Sequence, residues 1–159
     1  MPKIVSNTTP IISLLKINKL NLLQKLYGEI IIPQEVYFEI EKGKSKDYYI
    51  DLNTIDWIRI LKISNPEAVS YFIDLDKGEA ETIILANEIK ADLVIIDEIL
   101  GRFHANNIEL KVTGTLGLLL KAKEAGHIDQ IKPLLYELKN KGIWLSEDLI
   151  NKISKLANE

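Results

Sequence analysis

The chain has no cysteine, which removes disulfides and thiolate metal sites together. It also lacks any apolar run near the roughly 18 residues of a membrane span. Its first residues carry one early lysine and then polar Ser6-Asn7-Thr8-Thr9-Pro10, which is not a secretory signal. A cytoplasmic location is the expectation. Excess positive charge is absent as well. A net charge of -3 excludes a protein that coats nucleic acid by bulk electrostatics, so such a ligand needs a local basic surface or a bound cation. No Gly- or Pro-rich linker, internal repeat or low-complexity tract divides the 159 residues. One domain is expected over 1–159, with 129–159 a C-terminal helical extension packed on it.

Several catalytic signatures are missing too. There is no phosphate loop of the G-x-x-x-x-G-K-[ST] kind, and Gly114-Thr115-Leu116-Gly117 has the wrong spacing for a dinucleotide fingerprint. There is no H-E-x-x-H and no G-x-S-x-G elbow. The two histidines, His104 and His127, lie in separate segments and read as surface residues. Hydride transfer, phosphate-loop hydrolysis and triad acyl chemistry therefore recede, and chemistry built on acids remains.

What is present is an alternation of short apolar strands and helices, the pattern of an α/β domain with a parallel sheet. Strands are expected at 3–6, 29–32, 57–63, 92–96 and 109–113, with 57–63 at the sheet edge. Thr8 or Thr9 caps the first helix, with a hydrogen bond to a carboxylate or phosphate as the alternative use of either hydroxyl; a second helix ends near Gly28, and Pro33 opens a third through about Lys42. Further helices are expected around 66–73, from Glu79, over 98–107, from a Thr115 cap to Gly126, and over 129–140 and 146–157.

The most informative stretch runs from Gly78-Glu79-Ala80-Glu81 to Asp97-Glu98. A helix with an acidic entrance precedes a buried strand that ends in two carboxylates. Ligands of open parallel sheets collect outside the carboxyl ends of the strands, and acids delivered there make a hard-cation site. Asp97 ends Leu93-Val94-Ile95-Ile96 and is the strongest candidate, with helix capping as its structural alternative. Glu98 reads as a supporting acid or a first-turn residue. Asp76-Lys77-Gly78-Glu79 matches a capping box, so Glu79 has an equally good structural reading. Glu81 is expected in solvent. Asn7 ends the first strand, where an aspartate would supply two anionic oxygens and asparagine offers one neutral carbonyl.

These residues, together with Val5-Ser6-Asn7-Thr8-Thr9-Pro10, Gly101-Arg102 and Thr113-Gly114-Thr115-Leu116-Gly117, resemble a PIN domain of the VapC-like toxin branch, DUF3368-like, over nearly the whole chain. The resemblance implies a three-layer α/β/α domain with a central parallel sheet of about four to five strands. It implies a ribonuclease that uses Mg²⁺ or Mn²⁺, held by four residues falling here on Asn7, Glu39, Glu79 and Asp97. Only the resemblance selects Glu39, since its helix face otherwise reads as solvated. Thr8, Arg102, Lys42 and Lys44 are the expected RNA contacts. An antitoxin protein, a homodimer and no membrane association are the implied partnerships. The departure at Asn7 keeps a second class open: a non-catalytic PIN-fold module that binds RNA or protein.

Overall fold

A computed structural model describes residues 1–159. The strands are β1 (Ile4–Ser6), β2 (Ile30–Pro33), β3 (Ile58–Leu61), β4 (Leu93–Ile95) and β5 (Val112–Thr113). They form one sheet in the order β3-β2-β1-β4-β5, every pairing parallel. The helices are α1 (Thr8–Lys16), α2 (Asn21–Tyr27), α3 (Gln34–Glu41), α4 (Lys77–Glu88), α5 (Ile99–Asn107), α6 (Thr115–Glu124), α7 (Lys132–Asn140) and α8 (Glu147–Leu156). Two 3₁₀ turns, Leu52–Thr54 and Pro66–Tyr71, flank β3.

The alternation of side chains along each strand sorts the helices into two layers. Ile4, Ile30, Ile32 and Ile95 face one side, where they join the apolar residues of α1, α2, α3, α6, α7 and α8. Val5, Ile31, Val94 and Ile96 face the other, against Ile83, Ile84 and Leu85 of α4 and Ala105 of α5. The three-layer α/β/α architecture follows. Strand β1 is buried on both faces, as a central parallel strand covered by helices must be. The tail shares the larger core: Leu134, Leu135 and Leu138 of α7 and Ile150 and Ile153 of α8 pack with Leu118 and Leu119 of α6.

From β1 the chain moves outward to β2 and β3, then returns to place β4 on the other side of β1. The sheet's topological switch point therefore lies between β1 and β4, where a crevice opens beyond the strand ends. The Asn7 N–H donates to the Ile95 carbonyl at 3.0 Å, tying the exits of these two strands together.

Local expectations differ from the structure in four instructive places. The region 66–73 forms a 3₁₀ turn over Pro66–Tyr71 instead of an α-helix. β5 is only Val112–Thr113, because Glu109 adopts φ 63° and turns the chain immediately after α5. α7 begins at Lys132, three residues later than expected. Asn7 and Gly114 occupy the N-cap positions of α1 and α6, so Thr8, Thr9 and Thr115 are inside their helices. The hydroxyls of these threonines serve the carboxylates instead.

Candidate active site

The crevice at the switch point is lined by acids from three segments and by Asn7 from the end of β1. Asn7 leaves β1 with its side chain buried, and its Nδ2 donates to Glu98 Oε2 at 3.2 Å. Thr9 Oγ1 donates to Glu98 Oε1 at 2.6 Å. Glu98 is the N-cap residue of α5, yet its side chain makes no cap bond. Its carboxylate turns inward to β1 instead.

Asp97 has a different commitment. Its Oδ1 accepts the Thr115 N–H and its Oδ2 accepts the Thr115 hydroxyl, both at 2.7 Å. It thus satisfies the entrance of α6, and not that of α5, the helix next in sequence. Burial pushes the Asp97 carboxyl up, with Glu98 adding repulsion, against the pull of Thr115 and the Arg102 guanidinium.

Glu79 sits in the first turn of α4, where its N–H donates to Asp76 Oδ1 at 2.8 Å. Only 8% of the residue is exposed. Burial first, then the adjoining Asp76 carboxyl and the Glu98 charge, push its pKa up to about 8. Glu39, on α3, accepts a hydrogen bond from the Thr8 hydroxyl. Burial raises its pKa, and Asp76 and Glu35 add to the rise, opposed by Thr8 and the Gly78 N–H.

Glycine lets each expected acid in. A Cβ on Gly78 would overlap the Glu39 carboxylate, one on Gly101 would lie 3.0 Å from Glu79 Oε2, and one on Gly114 would lie 2.7 Å from Asp97 Oδ1. The G-E-A-E, G-R and T-G-T motifs thus record close backbone approaches at three separate carboxylates.

The structure does not assemble Glu39, Glu79 and Asp97 into one cage, and no three His, Cys, Asp or Glu side chains stand together as a metal-holding group. Glu39 belongs to the α1–α3–α4 side of the crevice, Asp97 to the α6 side, and Glu98 links the middle. Two buried oxygens there, Asn7 Oδ1 and Glu79 Oε2, have no hydrogen-bond partner. Unpaired buried acceptors surrounded by like charges are satisfied by a hard cation. Mg²⁺ is held through one or two carboxylates and keeps several waters, so this oxygen-only donor set fits it without a three-acid cage.

Among the expected RNA contacts, Arg102 is at the rim: its Nη1 and Asp97 Oδ1 both approach Gly114. Thr8 is bonded to Glu39. Lys42 and Lys44 lie past the far end of α3, where Lys44 pairs with Glu41 at 3.3 Å, and neither pairs with a crevice acid. Lys77, which pairs with Glu35 at 3.5 Å, is a cation nearer the rim. Glu81 is buried and accepts the Glu35 N–H at the start of α3, contrary to its expected place in solvent. His104 is partly buried and bonded to Asp74 at 2.9 Å, away from the acids of the crevice.

A family model described as a PIN domain, DUF3368, matches residues 3–159. The chain belongs to the PIN domain family. No curated protein matches the chain. The PIN fold accounts for the parallel sheet between helical layers. A nuclease role is in keeping with that family. No helix of this PIN domain is long and apolar enough to cross a membrane. Sequence reasoning ranked Glu98 below Asp97, and it placed a threonine–carboxylate bond at Thr8 or Thr9 second to capping, whereas both hydroxyls donate to carboxylates.

Proposed function

We propose that this PIN domain is a Mg²⁺- or Mn²⁺-dependent endoribonuclease, the toxin member of a VapBC-like pair acting in the cytoplasm. The observation that carries the reading is the pair of unpartnered buried oxygens, Asn7 Oδ1 and Glu79 Oε2, among mutually repelling carboxylates. Asn7, Glu39, Glu79 and Asp97 are the proposed catalytic residues, with Glu98 beside them; Asn7 and Glu79, whose oxygens are unpartnered, would contact the ion first. Asp97 retains free lone pairs beside its two bonds to Thr115, since a carboxylate accepts about four.

When bound, the ion supplies a more acidic water and neutralises charge on the departing oxygen. The chain's own residues set the stage for that hydrolysis. Glu79 is held protonated by burial and its acidic neighbours and would release that proton on holding a cation, which would link loading to pH. Glu98, fixed by Asn7 and Thr9, holds one orientation and accepts a proton from the attacking water. Arg102 meets the phosphate from the α5 side. Water oxygen bonds to phosphorus, the bond to the leaving ribose oxygen breaks, and that oxygen takes up a proton from solvent. An antitoxin segment covering the acids with an arginine, and a homodimer, complete the proposal.

The test is Mn²⁺-dependent cleavage of single-stranded RNA by the wild type, Glu98→Gln and Asp97→Asn, with Thr115→Val to report loss of the hydroxyl bond to Asp97 alone. Both acid variants should lose cleavage while Thr115→Val retains it. Undiminished cleavage by both acid variants would show that the activity does not belong to this crevice. One observation favours a second reading, a non-catalytic RNA- or protein-binding module. The Asn7 amide already satisfies Glu98 without an ion. Absence of Mn²⁺ binding by calorimetry would select that reading.

A further inference from the structure

Trp144 lies in the short connection between α7 and α8 and is 83% exposed. Its neighbours in sequence behave differently: Ile143 is half-buried and Leu145 is buried in the main core. The connection is therefore anchored on both sides of the indole, which projects from a fixed base. Ile143 N–H donates to the Leu138 carbonyl at 3.0 Å, closing the turn below it.

Trp144 forms one wall of a cavity of about 290 Å³ that also includes Thr9, Asp97, Arg102, Gly114 and Thr115. The cavity thus runs directly into the acidic crevice through Asp97. Its walls carry different chemistry. The α6 entrance is already satisfied by Asp97, and Thr9 is bonded to Glu98. The exposed Arg102 forms no ion pair within 4 Å, and Trp144 makes no aromatic or cation–π contact within the protein. A free guanidinium and a free indole face thus share one small cavity beside the acids.

We propose that this cavity is a nucleotide subsite for single-stranded RNA, in which an unpaired base stacks on Trp144 and an adjacent phosphate pairs with Arg102. The inference rests on the nuclease reading and extends it to substrate selection. A cavity of about 290 Å³, just under the ligand-pocket range of about 300–1,000 Å³, suits one nucleotide unit, and a base paired in a duplex is not free to enter it. Base–aromatic stacking needs an unpaired base and is tolerant of sequence. The subsite therefore selects strandedness more than base identity. Guanidinium–phosphate pairing then holds the backbone beside Asp97.

The test uses the full chain and a uridine octanucleotide, free or annealed to its complement, in Ca²⁺ to screen the acids. Trp57 packs against the main core, so fluorescence from Trp144 is isolated by comparing wild type with Trp144→Ala. The free strand should quench wild-type fluorescence and the duplex should not. Trp144→Ala should remove that quenching and weaken binding about 5- to 150-fold, the range for losing one stacked base. Trp144→Phe should recover most of the affinity. In Mn²⁺-dependent cleavage, Trp144→Ala should raise KM with little change in kcat. Equal RNA affinity of wild type and Trp144→Ala, with cleavage retained, overturns the subsite and leaves the nuclease reading standing. RNA neither bound nor cleaved by wild type overturns both. A change in sedimentation of Trp144→Ala assigns the indole to a protein interface and also overturns the subsite.

Discussion

Replacing Glu79 by glutamine tests the electrostatic account of the crevice through stability, independently of any activity. The wild-type carboxyl is raised from 4.5 to about 8 by burial, by the Asp76 carboxyl and by Glu98. An acid raised in this way stabilises the fold in its protonated form. That contribution is complete below about pH 4.5 and is lost as pH rises through about 8. At about 1.4 kcal/mol per unit the full shift bounds the effect near 5 kcal/mol; sharing of charge with Asp76 and solvent at the crevice mouth reduce it to about 2 kcal/mol. Glutamine is neutral at every pH and keeps the shape of the protonated acid. Urea unfolding of both proteins from pH 5 to pH 9 should therefore give similar stabilities at pH 5. By pH 9 the wild type should fall behind Glu79→Gln by about 2 kcal/mol. At pH 8, Mn²⁺ at a hundredfold excess over its Kd should restore about 2.7 kcal/mol to the wild type. Glu79→Gln should gain less. Parallel pH profiles for the two proteins would refute the claim that Glu79 enters the fold protonated.

Three further outcomes follow from individual contacts. Asn7→Asp replaces the donor to Glu98 with a second carboxylate; the metal-free protein should lose about 1–3 kcal/mol in urea unfolding, and calorimetry should show Mn²⁺ bound about tenfold tighter. Gly78→Ala drives a methyl group into the Glu39 carboxylate; Mn²⁺ affinity should fall while stability changes by less than about 1 kcal/mol, since alanine also favours the helix. Glu159 accepts the Ile131 and Lys132 N–H groups at 2.7 and 3.0 Å and pairs with Lys123 at 2.7 Å; Glu159→Ala should cost about 1–2 kcal/mol by urea titration, without altering Mn²⁺ binding.

Where local physics is decisive, the sequence was legible. The apolar blocks at 30–32 and 93–96 have no polar face, and only a covered parallel sheet accommodates them. Gly28 with φ 81° and Gly126 with φ 81° end their helices because that backbone region suits glycine. Asp76 caps α4 as the spacing to Glu79 implies. Other features were hidden because distant partners create them. Glu81 has no local reason to be buried; the start of α3, forty-six residues earlier, donates the Glu35 N–H that holds it there. β5 is short because a left-handed residue, Glu109, follows α5, a choice the strand pattern does not encode.

By itself, then, the sequence determined the strand–helix alternation, the PIN resemblance and which segments deliver acids to strand ends, all of which depend on periodicity and short-range spacing. Only the tertiary structure decided that β1 lies between β2 and β4, and so which strand ends meet. It alone turned Glu98 toward Asn7 and Asp97 toward Thr115. Adjacent side chains leaving a strand point in different directions, and the partner each finds is fixed by elements remote in the chain. It also brought Trp144 beside Arg102, because the α7–α8 connection is positioned by the core beneath it and not by its neighbours in sequence.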